Sequence, residues 1–425
     1  MNLKCAFTMA AVGMAGAALA AMPSISNVRL SADANPITIQ YDLSGADAVV
    51  TADVLTNGVS IGVVNFTNMT GAVNCRVSAG QDKSIRWKAY KTWPGHKLAP
   101  NTLSVRLTAW NISDPPDYHV TDLNTGDIRY YVSKEAFPGG FWDRQYRTTK
   151  LVMKKIPAAM KPFVMGANAN ELGDTYRQKQ HKAMLTNDFY IGVFEVTQAQ
   201  WMKIYGTKSV RRTSTAYNDA FTFDETPDSD IKPVNQVCCC NLRGYGNGAE
   251  FPKVMEVLDW SFLGTLRSKV GQPLTGRYGF DLPTEMEWEF ACRGESTLAL
   301  PNNLKLTNES ACPNLNLIAW YAGNGGSSST GPKPVGSYLP NGYGLYDMVG
   351  NVFELCLGWY EEDCSGYPEV DYPGPARGTA LPKAVARGGA YSFEAKFCKC
   401  ASRVSPAFLD APTATYGFRV LLRLP

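Results

Sequence analysis

The sequence predicts an all-β sandwich at the N-terminus, followed by a larger α+β domain with much irregular structure. Short runs of alternating apolar and polar residues fill residues 22–120, a period typical of half-buried strands. Beyond residue 156, strand-like runs pass into segments that begin with helix-capping signals. The 38 Gly and 26 Pro residues indicate many turns and loops.

Length and composition exclude several classes of protein. The 425 residues are enough for two or three domains, and a hydrophobic content of 45% supports a real core. A net charge of +3 without a cluster of Lys and Arg gives no sign of nucleic-acid binding. The three histidines, His96, His119 and His181, are scattered, so we do not expect a site with several His ligands.

Residues 1–20 have the features of a secretory signal peptide. Lys4 supplies the positive start, and the apolar run from Ala6 to Leu19 is too short to span a bilayer comfortably. Ala18-Leu19-Ala20 is a small-x-small cleavage site. We therefore expect a secreted or periplasmic protein. No later segment is long and apolar enough to predict a membrane span.

Eleven cysteines are present, and an oxidising compartment permits disulfides among the ten that follow the signal peptide. Their irregular spacing lacks paired zinc-ligand motifs and does not determine the connectivity. Cys238, Cys239 and Cys240 are adjacent, which suggests either a metal site or, as a second interpretation, apolar filler or one structural disulfide. We favour the second interpretation because three consecutive side chains cannot face the same side of a strand.

Residues 21–120 form the predicted sandwich, of immunoglobulin or fibronectin type. Val49–Val54 and Val59–Phe66 flank Asn57-Gly58, a hairpin turn that requires positive φ. Other strand-like runs are Ile37–Tyr41, Ser84–Lys88 and Leu103–Trp110. No catalytic cluster occurs here, so we interpret this part as a spacer or docking module. Residues 121–155 are predicted to be a linker, with Asp127–Ser133 compatible with one more strand.

The second domain, residues 156–425, contains two clear helix starts. The run Phe189–Phe194 is strand-like, and Thr197 with Gln200 then forms a capping box. In DLPTEMEWEFACRG, Thr284 caps a second helix with Glu287 three residues later. Between these helices, Val257–Leu266 is apolar at helical spacing.

The stretch PNGYGLYDMVGNVFEL, residues 340–355, organises this domain. Its Asn- and Gly-rich turns fold the backbone tightly and leave carbonyl groups free. With the carboxylates of Asp347 and Glu354 they make an oxygen-rich environment without His, which suits calcium. The alternative interpretation is a buried turn with two solvated acids.

Several motifs occur in one order along residues 156–425. They are FVMG, EVTQAQW, PVNQV, DLPTEMEWEFACRG, AWYAGN, KPVG, GNVFE, RGGAY, CASR and GFRV. This ordered set resembles the formylglycine-generating enzymes, also called sulfatase-modifying factors. Asp281 stands where the family usually has Arg.

The resemblance implies a fold related to C-type lectin modules. It also implies a calcium site in which Asp347 and Glu354 contribute side chains and Gly350 and Val352 contribute carbonyl groups. A disulfide between Cys292 and Cys400 is implied in the same way. Relatives with a second calcium site carry an acidic loop where this chain has residues 325–330, which contain no carboxylate. We therefore do not expect a second calcium ion there.

The family reaction oxidises a cysteine of a sulfatase to formylglycine with oxygen and Cu(I), which two thiolates hold. Cys398 matches one of these thiolates, but Phe393 stands at the other position. Ala390 replaces the serine expected at the substrate. We therefore do not expect copper. Ala390, Tyr391, Phe393 and Arg403 remain as candidate residues of a binding pocket.

Three hypotheses follow. The first, which we favour, is a calcium-braced module that binds a peptide or glycan and lacks the copper site. The second is an active oxidase that acts on secreted sulfatases, with Cys398 and an unexpected second thiol as catalytic groups. The third is an iron-dependent oxidase, against which the three scattered histidines argue.

Overall fold

A computed structural model describes residues 22–31, 36–62, 68–92, 94–95, 102–173, 178–206, 228–244, 256–364, 366–375, 383–405 and 413–424. The predicted signal peptide, His96 and the end of the predicted Val59–Phe66 strand lie outside these residues. The chain divides into two compact units. The first comprises Met1–Val59 and Met69–Asp114, and the second Ser60–Asn68 and Pro115–Pro425.

The first unit consists almost entirely of strands. They are β1 (Ser24–Ser31), β2 (Ile37–Ser44), β3 (Ala48–Thr56), β4 (Val59–Ser60), β5 (Met69–Gly71), β6 (Cys75–Val77), β7 (Gly80–Trp87) and β8 (Leu103–Asn111), with one short helix, α1 (Ala89–Thr92). One sheet has the order β1-β2-β7-β5. The other has the order β4-β3-β6, with β8 also paired to β3.

The buried faces of these two sheets share one hydrophobic cluster. Tyr41 and Ile85 from the first sheet pack there with Val50 from the second. Alternation along β2 explains this, because Ile37, Ile39, Tyr41 and Leu43 are all buried whereas Gln40 is exposed. The predicted turn after β3 has φ of 50° at Asn57 and 77° at Gly58, so the expected positive φ is confirmed.

The second unit contains twelve short strands and four helices among the described residues. The strands are β9 (Tyr118–Asp122), β10 (Ile128–Tyr131), β11 (Lys150–Ile156), β12 (Lys161–Met165), β13 (His181–Leu185), β14 (Phe189–Gly192), β15 (Gly279–Asp281), β16 (Phe353–Trp359), β17 (Ala384–Arg387), β18 (Arg403–Val404), β19 (Tyr416–Gly417) and β20 (Leu421–Arg423). The helices are α2 (Gln198–Tyr205), α3 (Cys239–Arg243), α4 (Phe262–Lys269) and α5 (Glu285–Arg293). Long irregular segments connect them, as the Gly and Pro content indicates.

Three sheets organise this unit. The largest has the order β10-β9-β11-β14-β20-β15, so a strand close to the C-terminus lies between strands from the middle of the chain. A second sheet has the order β18-β17-β16-β19, and β12 pairs with β13 in a third. Met153 lies opposite Gly192 where β11 meets β14 in antiparallel pairing. None of the described helices is long and apolar enough to cross a membrane.

Residues 121–155, predicted as a linker, instead form part of the six-stranded sheet. The strand β11 pairs on one side with β9 and on the other with β14. The aromatic side chains of Phe137, Phe141 and Tyr146 from this segment join a buried cluster beside the sheet. The local hydrophobic pattern of this segment is weak, so its strands depend on pairing with other strands of the sheet.

The two capping boxes are confirmed. Thr197 and Gln200 exchange hydrogen bonds at the start of α2, and Thr284 and Glu287 do so at the start of α5. The helix α4 begins later than its apolar spacing suggested, because the hydroxyl of Ser261 accepts a hydrogen bond from the amide of Gly264. The cysteine run opens α3, where a disulfide joins Cys238 to Cys240.

His119 lies buried on β9, next to the edge strand β10 of the largest sheet. Its ring contacts the rings of Tyr130, Tyr190 and Phe280 at centroid distances of 5.2 to 5.8 Å. Its Nδ1 has no hydrogen-bond partner among the described residues. Burial lowers the pKa of His119 to about 3, because the cation would lose its water without gaining an ion pair.

We predict that His119 makes this unit less stable in acid. The unfolded chain binds the proton below pH 6.5 and the folded chain does not, so stability falls as the pH decreases from about 6.5 towards 3. Between pH 7 and 5 the loss in unfolding free energy is about 2 kcal/mol. Urea unfolding of the wild type and of His119→Leu at both pH values measures it. An equal loss in the variant would contradict the assignment to His119.

Candidate functional site

The helix α5 is fixed in place by buried glutamates that pair with arginines from distant parts of the chain. Glu285 accepts two hydrogen bonds from Arg403, at 2.9 and 2.6 Å. Glu287 accepts two from Arg423, at 2.8 and 2.5 Å. All four side chains are at least nine-tenths buried. Such pairs fix the position of the helix, because either partner without the other would be an uncompensated buried charge.

The third glutamate of the helix, Glu289, lies between two arginines. Arg387 and Arg293 both donate to its carboxylate, Arg293 at 2.6 Å. Burial opposes the charged form, but the two guanidinium groups outweigh it and hold the pKa of Glu289 below its usual value. Glu289 also accepts a hydrogen bond from the amide of Gly166, which ties the helix to the start of the domain.

Asp281, at the position where the family usually has Arg, is also buried. It accepts a hydrogen bond from Arg243 at 3.2 Å and forms ion pairs with Arg267 at 3.6 Å and Arg423 at 3.9 Å. Arg243 belongs to α3 and Arg267 to α4. The carboxylate of Asp281, which stands where the family usually has Arg, is therefore paired with cations from neighbouring helices. The departure from the family pattern is therefore accommodated within the core.

The organising stretch 340–355 is linked to α5 through Glu354. Trp288 of the helix donates its indole N–H to Glu354 at 2.6 Å. Arg419, from the GFRV motif, donates to both oxygens of the same carboxylate, at 2.6 to 2.9 Å. The Glu354 side chain therefore already has three strong donors.

Two more carboxylates lie around the same guanidinium. Asp347 accepts a hydrogen bond from the amide of Gly336 at 2.7 Å, and burial raises its pKa to about 6. Burial and the charges of Asp347 and Glu354 raise the pKa of Glu195 well above its usual value. One arginine thus faces three carboxylates, which leaves an excess of negative charge.

Glu195 is a site residue that the sequence interpretation missed. Its carboxylate accepts hydrogen bonds from the side chain of Asn351 at 2.6 Å and from the amide of Val352 at 3.1 Å. It therefore holds the backbone of the predicted calcium loop. The signal was available, because a single acid occurs within the apolar run VFEV, but that run was interpreted only as a strand leading into a helix.

The predicted calcium ligands fit an ion in part. Asp347 and the loop backbone at Gly350 and Val352 lie beside the excess negative charge, which favours a cation. Glu354 does not fit, because Arg419 and Trp288 occupy its carboxylate. Among the described residues no group of three His, Cys, Asp or Glu side chains is arranged to hold a metal, so carbonyl groups would have to supply most of the ligands.

Cys398, the candidate thiol, is fully buried beneath the RGGAY turn. A Cβ atom at Gly389, whose φ is 83°, would lie 2.5 Å from its Sγ, so only glycine fits there. Burial raises the pKa of Cys398 to about 12, although the nearby amides of Ala390 and Gly350 act to lower it. At neutral pH this side chain is therefore a thiol and not a thiolate.

The other candidate pocket residues have packing roles. The ring of Phe393 lies edge-on to Phe353 at 4.8 Å, and Ala390 is fully buried in the same cluster. Tyr391 packs against Trp320 and Val352. Arg403 is the only charged residue among the four candidates, and its guanidinium is paired with Glu285.

Cys292 and Cys400, the predicted disulfide pair, are neighbours in the core. Their thiols are close enough to hydrogen-bond, and burial together with this contact raises the pKa of Cys292 well above its usual value. Both are free cysteines in the structure. The structure places the two predicted partners next to each other, and the bond itself stays a prediction.

We predict that Glu289→Gln strongly destabilises the second unit. The substitution removes the buried counter-charge of Arg293 and the nearer of the two carboxylates beside Arg387, so we expect a loss of about 3 to 5 kcal/mol in unfolding free energy. Glu295→Gln, an exposed position just after the same helix, should change it by less than about 0.5 kcal/mol. Denaturant unfolding measures both. Equal effects of the two variants would contradict a structural role for the Glu289 ion pairs.

Comparison with known proteins agrees with the family that the ordered motifs resemble. The family model described as the sulfatase-modifying factor enzyme 1-like domain matches residues 150–424. The formylglycine-generating enzyme of Bos taurus is 28% identical over 303 residues, 67% of this chain and 76% of that protein. The enzyme of the same name from Thermomonospora curvata is 34% identical over 151 residues, 33% of this chain and 48% of that protein.

Among solved structures, the Treponema denticola variable protein 1 is 25% identical with a TM-score of 0.47. It covers 65% of this chain, which covers 96% of that protein. The family match covers well over half of the sequence. It includes the three arginines that pair with the glutamates of α5, namely Arg387, Arg403 and Arg423. The chain therefore belongs to the sulfatase-modifying factor enzyme 1-like family.

Proposed function

We propose that this protein is a non-catalytic member of its family, a secreted module that binds a peptide or glycan. The observation that carries the proposal is the residue that stands near Cys398. Phe393 occupies the position where the resemblance places the second thiol, and its ring packs edge-on against Phe353. Copper(I) in this family requires a pair of thiolates, and one thiol does not replace that pair.

The retained scaffold supports a binding role. Buried ion pairs hold the long irregular segments in fixed positions, so these loops can present side chains to a ligand without being parts of regular elements. In this proposal the fold is related to C-type lectin modules. The N-terminal unit is an immunoglobulin- or fibronectin-like sandwich that acts as a spacer or docking module.

We predict that the mature protein does not convert a sulfatase-type Cys-x-Pro-x-Arg peptide to formylglycine. The assay incubates the protein with Cu(I), oxygen and the peptide, and follows the peptide by mass spectrometry and the retained copper by elemental analysis. We expect no aldehyde product and no stoichiometric copper. Conversion that is lost in Cys398→Ser would instead establish the alternative function, an active oxidase acting on sulfatases.

A matched variant tests the reason for the loss. Phe393→Cys restores a thiol at the position that the family uses, so it should retain Cu(I) where the wild type does not. The double variant Phe393→Cys, Cys398→Ser should lose this copper again. If the wild type retains copper as well as Phe393→Cys does, Phe393 is not what prevents metal binding.

We also propose that calcium braces the loop at residues 347–352, with Asp347 as the side-chain ligand. A saturating ion should stabilise the fold, by about 2.7 kcal/mol at a concentration of one hundred times Kd. Thermal unfolding with calcium, and with magnesium as control, measures this effect. Asp347→Ala should abolish the response and Glu354→Gln should keep it, because Arg419 already occupies Glu354. The reverse pattern would contradict this assignment.

A further inference from the structure

The strand β12 (Lys161–Met165) has one edge that no described strand covers. It pairs with β13 alone among the described residues, so its opposite edge is open. Along an antiparallel pair, residues that bond to the partner strand alternate with residues that face away from it. On β13, the amide of Met184 donates to the carbonyl of Glu369, and its carbonyl accepts from the amide of Asp371. The main chain of Met184 therefore faces away from β12.

This alternation decides which groups of β12 point outward. Pro162 lies opposite Met184, and Val164 lies opposite Lys182. Since Met184 faces away from β12, Pro162 and, two residues later, Val164 face away from β13. Proline fits such a position because it has no N–H to contribute to the pairing. Val164 is 50% exposed, and its N–H and C=O face the side on which a further strand could pair.

A cavity of about 480 Å³ lies beside the same strand. Pro162 and Val164 line it, and so does Phe163, whose side chain lies on the opposite face of the strand from theirs. The ring of Phe163 is edge-on to that of Phe290 in α5 at 5.1 Å, and the ring of Tyr343 lies nearly parallel to Phe290 at 6.1 Å. A row of three aromatic rings is therefore available to an apolar side chain.

Two unpaired charges of opposite sign lie at this cavity. Lys161 and Glu295 line it, both are exposed, and neither forms an ion pair with a residue that the structure describes. Burial and the charge of Glu295 raise the pKa of Tyr343 to about 12, so Glu295 lies close to that end of the aromatic row. Arg293 also lines the cavity, but its guanidinium is neutralised by Glu289.

The two charges lie towards opposite ends of β12. Lys161 is its first residue. Glu295 follows Arg293, whose guanidinium donates to the carbonyl of Gly166, the residue just after the strand. A ligand that runs along β12 therefore meets a positive group near one end, the aromatic rings in the middle and a negative group near the other end.

We propose that the open edge of β12 binds an extended peptide of another protein as a third, antiparallel strand. An open edge presents N–H and C=O groups at the spacing of a main chain, so it selects a peptide. An apolar residue of the peptide packs opposite Phe163, and an acidic residue two positions later lies opposite Lys161 on the same face. A basic residue two positions before the apolar one lies towards Glu295. The inference rests on the binding function proposed above and names its ligand class and site.

A second copy of this chain fits the edge less well. Antiparallel pairing of β12 with itself, centred on Phe163, would place Pro162 of each copy opposite Val164 of the other. Because proline has no N–H, only two of the four hydrogen bonds in these two pairs could form. A peptide with an N–H at both positions forms one bond more per proline, so we assign the edge to a different chain.

The test is isothermal titration calorimetry of the full mature chain with the peptide acetyl-Thr-Lys-Thr-Phe-Thr-Glu-Thr-amide. In the proposed register its Phe lies opposite Phe163, and the Thr before it exchanges two hydrogen bonds with Val164. N-methylation of that Thr should weaken binding about tenfold, because it removes one of these bonds. N-methylation of the Phe is the matched control and should leave Kd nearly unchanged, since that N–H faces away from β12. Equal effects of the two methyl groups would overturn the edge pairing.

Val164→Pro tests the other hydrogen bond from the side of the protein. It removes an N–H that β13 does not use, so the variant should fold and should bind the peptide about tenfold more weakly. Val164→Thr keeps the N–H and should bind as the wild type does. Circular dichroism melting compares the two variants. If Val164→Pro does not fold, the two methylated peptides decide the question without it.

Lys161→Glu tests the charge pairing. It should weaken binding about tenfold, and a peptide with Lys in place of its Glu should restore the affinity. Lys305→Glu is the control, since this exposed lysine lies outside the cavity. The absence of heat with millimolar peptide would overturn the proposal, as would a dimer of this chain in light scattering that Val164→Pro abolishes. Either result, with copper still not retained, would leave the non-catalytic assignment intact and exclude only this ligand.

Discussion

The rest of the second unit depends on the pairing of buried glutamates in α5 with arginines from the end of the chain. Glu285, Glu287 and Glu289 reach Arg403, Arg423 and Arg387, which belong to three different strands. Because each of these partners would be an uncompensated charge without the other, the pairs admit one arrangement of the C-terminal segments around the helix. Many segments around α5 are irregular, so these ion pairs, together with the sheets, fix the positions of the C-terminal segments.

The buried ion pairs and the expected copper site depend on different side chains of this chain. The motifs RGGAY and CASR contribute Arg387 and Arg403 to these pairs, and GFRV contributes Arg419, which pairs with Glu354. The expected copper site instead needs side chains at positions 393 and 398. The side chains there, Phe393 and Cys398, pack into the core and form none of these ion pairs. The ordered motifs are therefore evidence for the fold and do not by themselves establish the reaction.

Local signals in the sequence predicted the parts of the fold that local physics decides. The capping boxes at Thr197 and Thr284 and the turn at Asn57 each depend on neighbouring residues, and all were correct. The strand β10 lies within the run Asp127–Ser133 that the sequence indicated. The strands β9 and β11 were missed because they depend on pairing with each other and, for β11, with β14, about forty residues later along the chain. Glu195 was missed for the same reason, since its partners lie at residues 351 and 352.

The carboxylates around Arg419 bear both on the stability of the core and on the proposed calcium site. Three acids and one guanidinium cannot all be charged in a buried site without further compensation, and only a proton or a cation supplies it. A proton on Glu195 or Asp347 supplies this compensation, and burial raises the pKa of both acids. The calcium ion that we propose for this loop would take the place of that proton. This conflict of charges arises from residues of the scaffold alone and involves neither Cys398 nor Phe393.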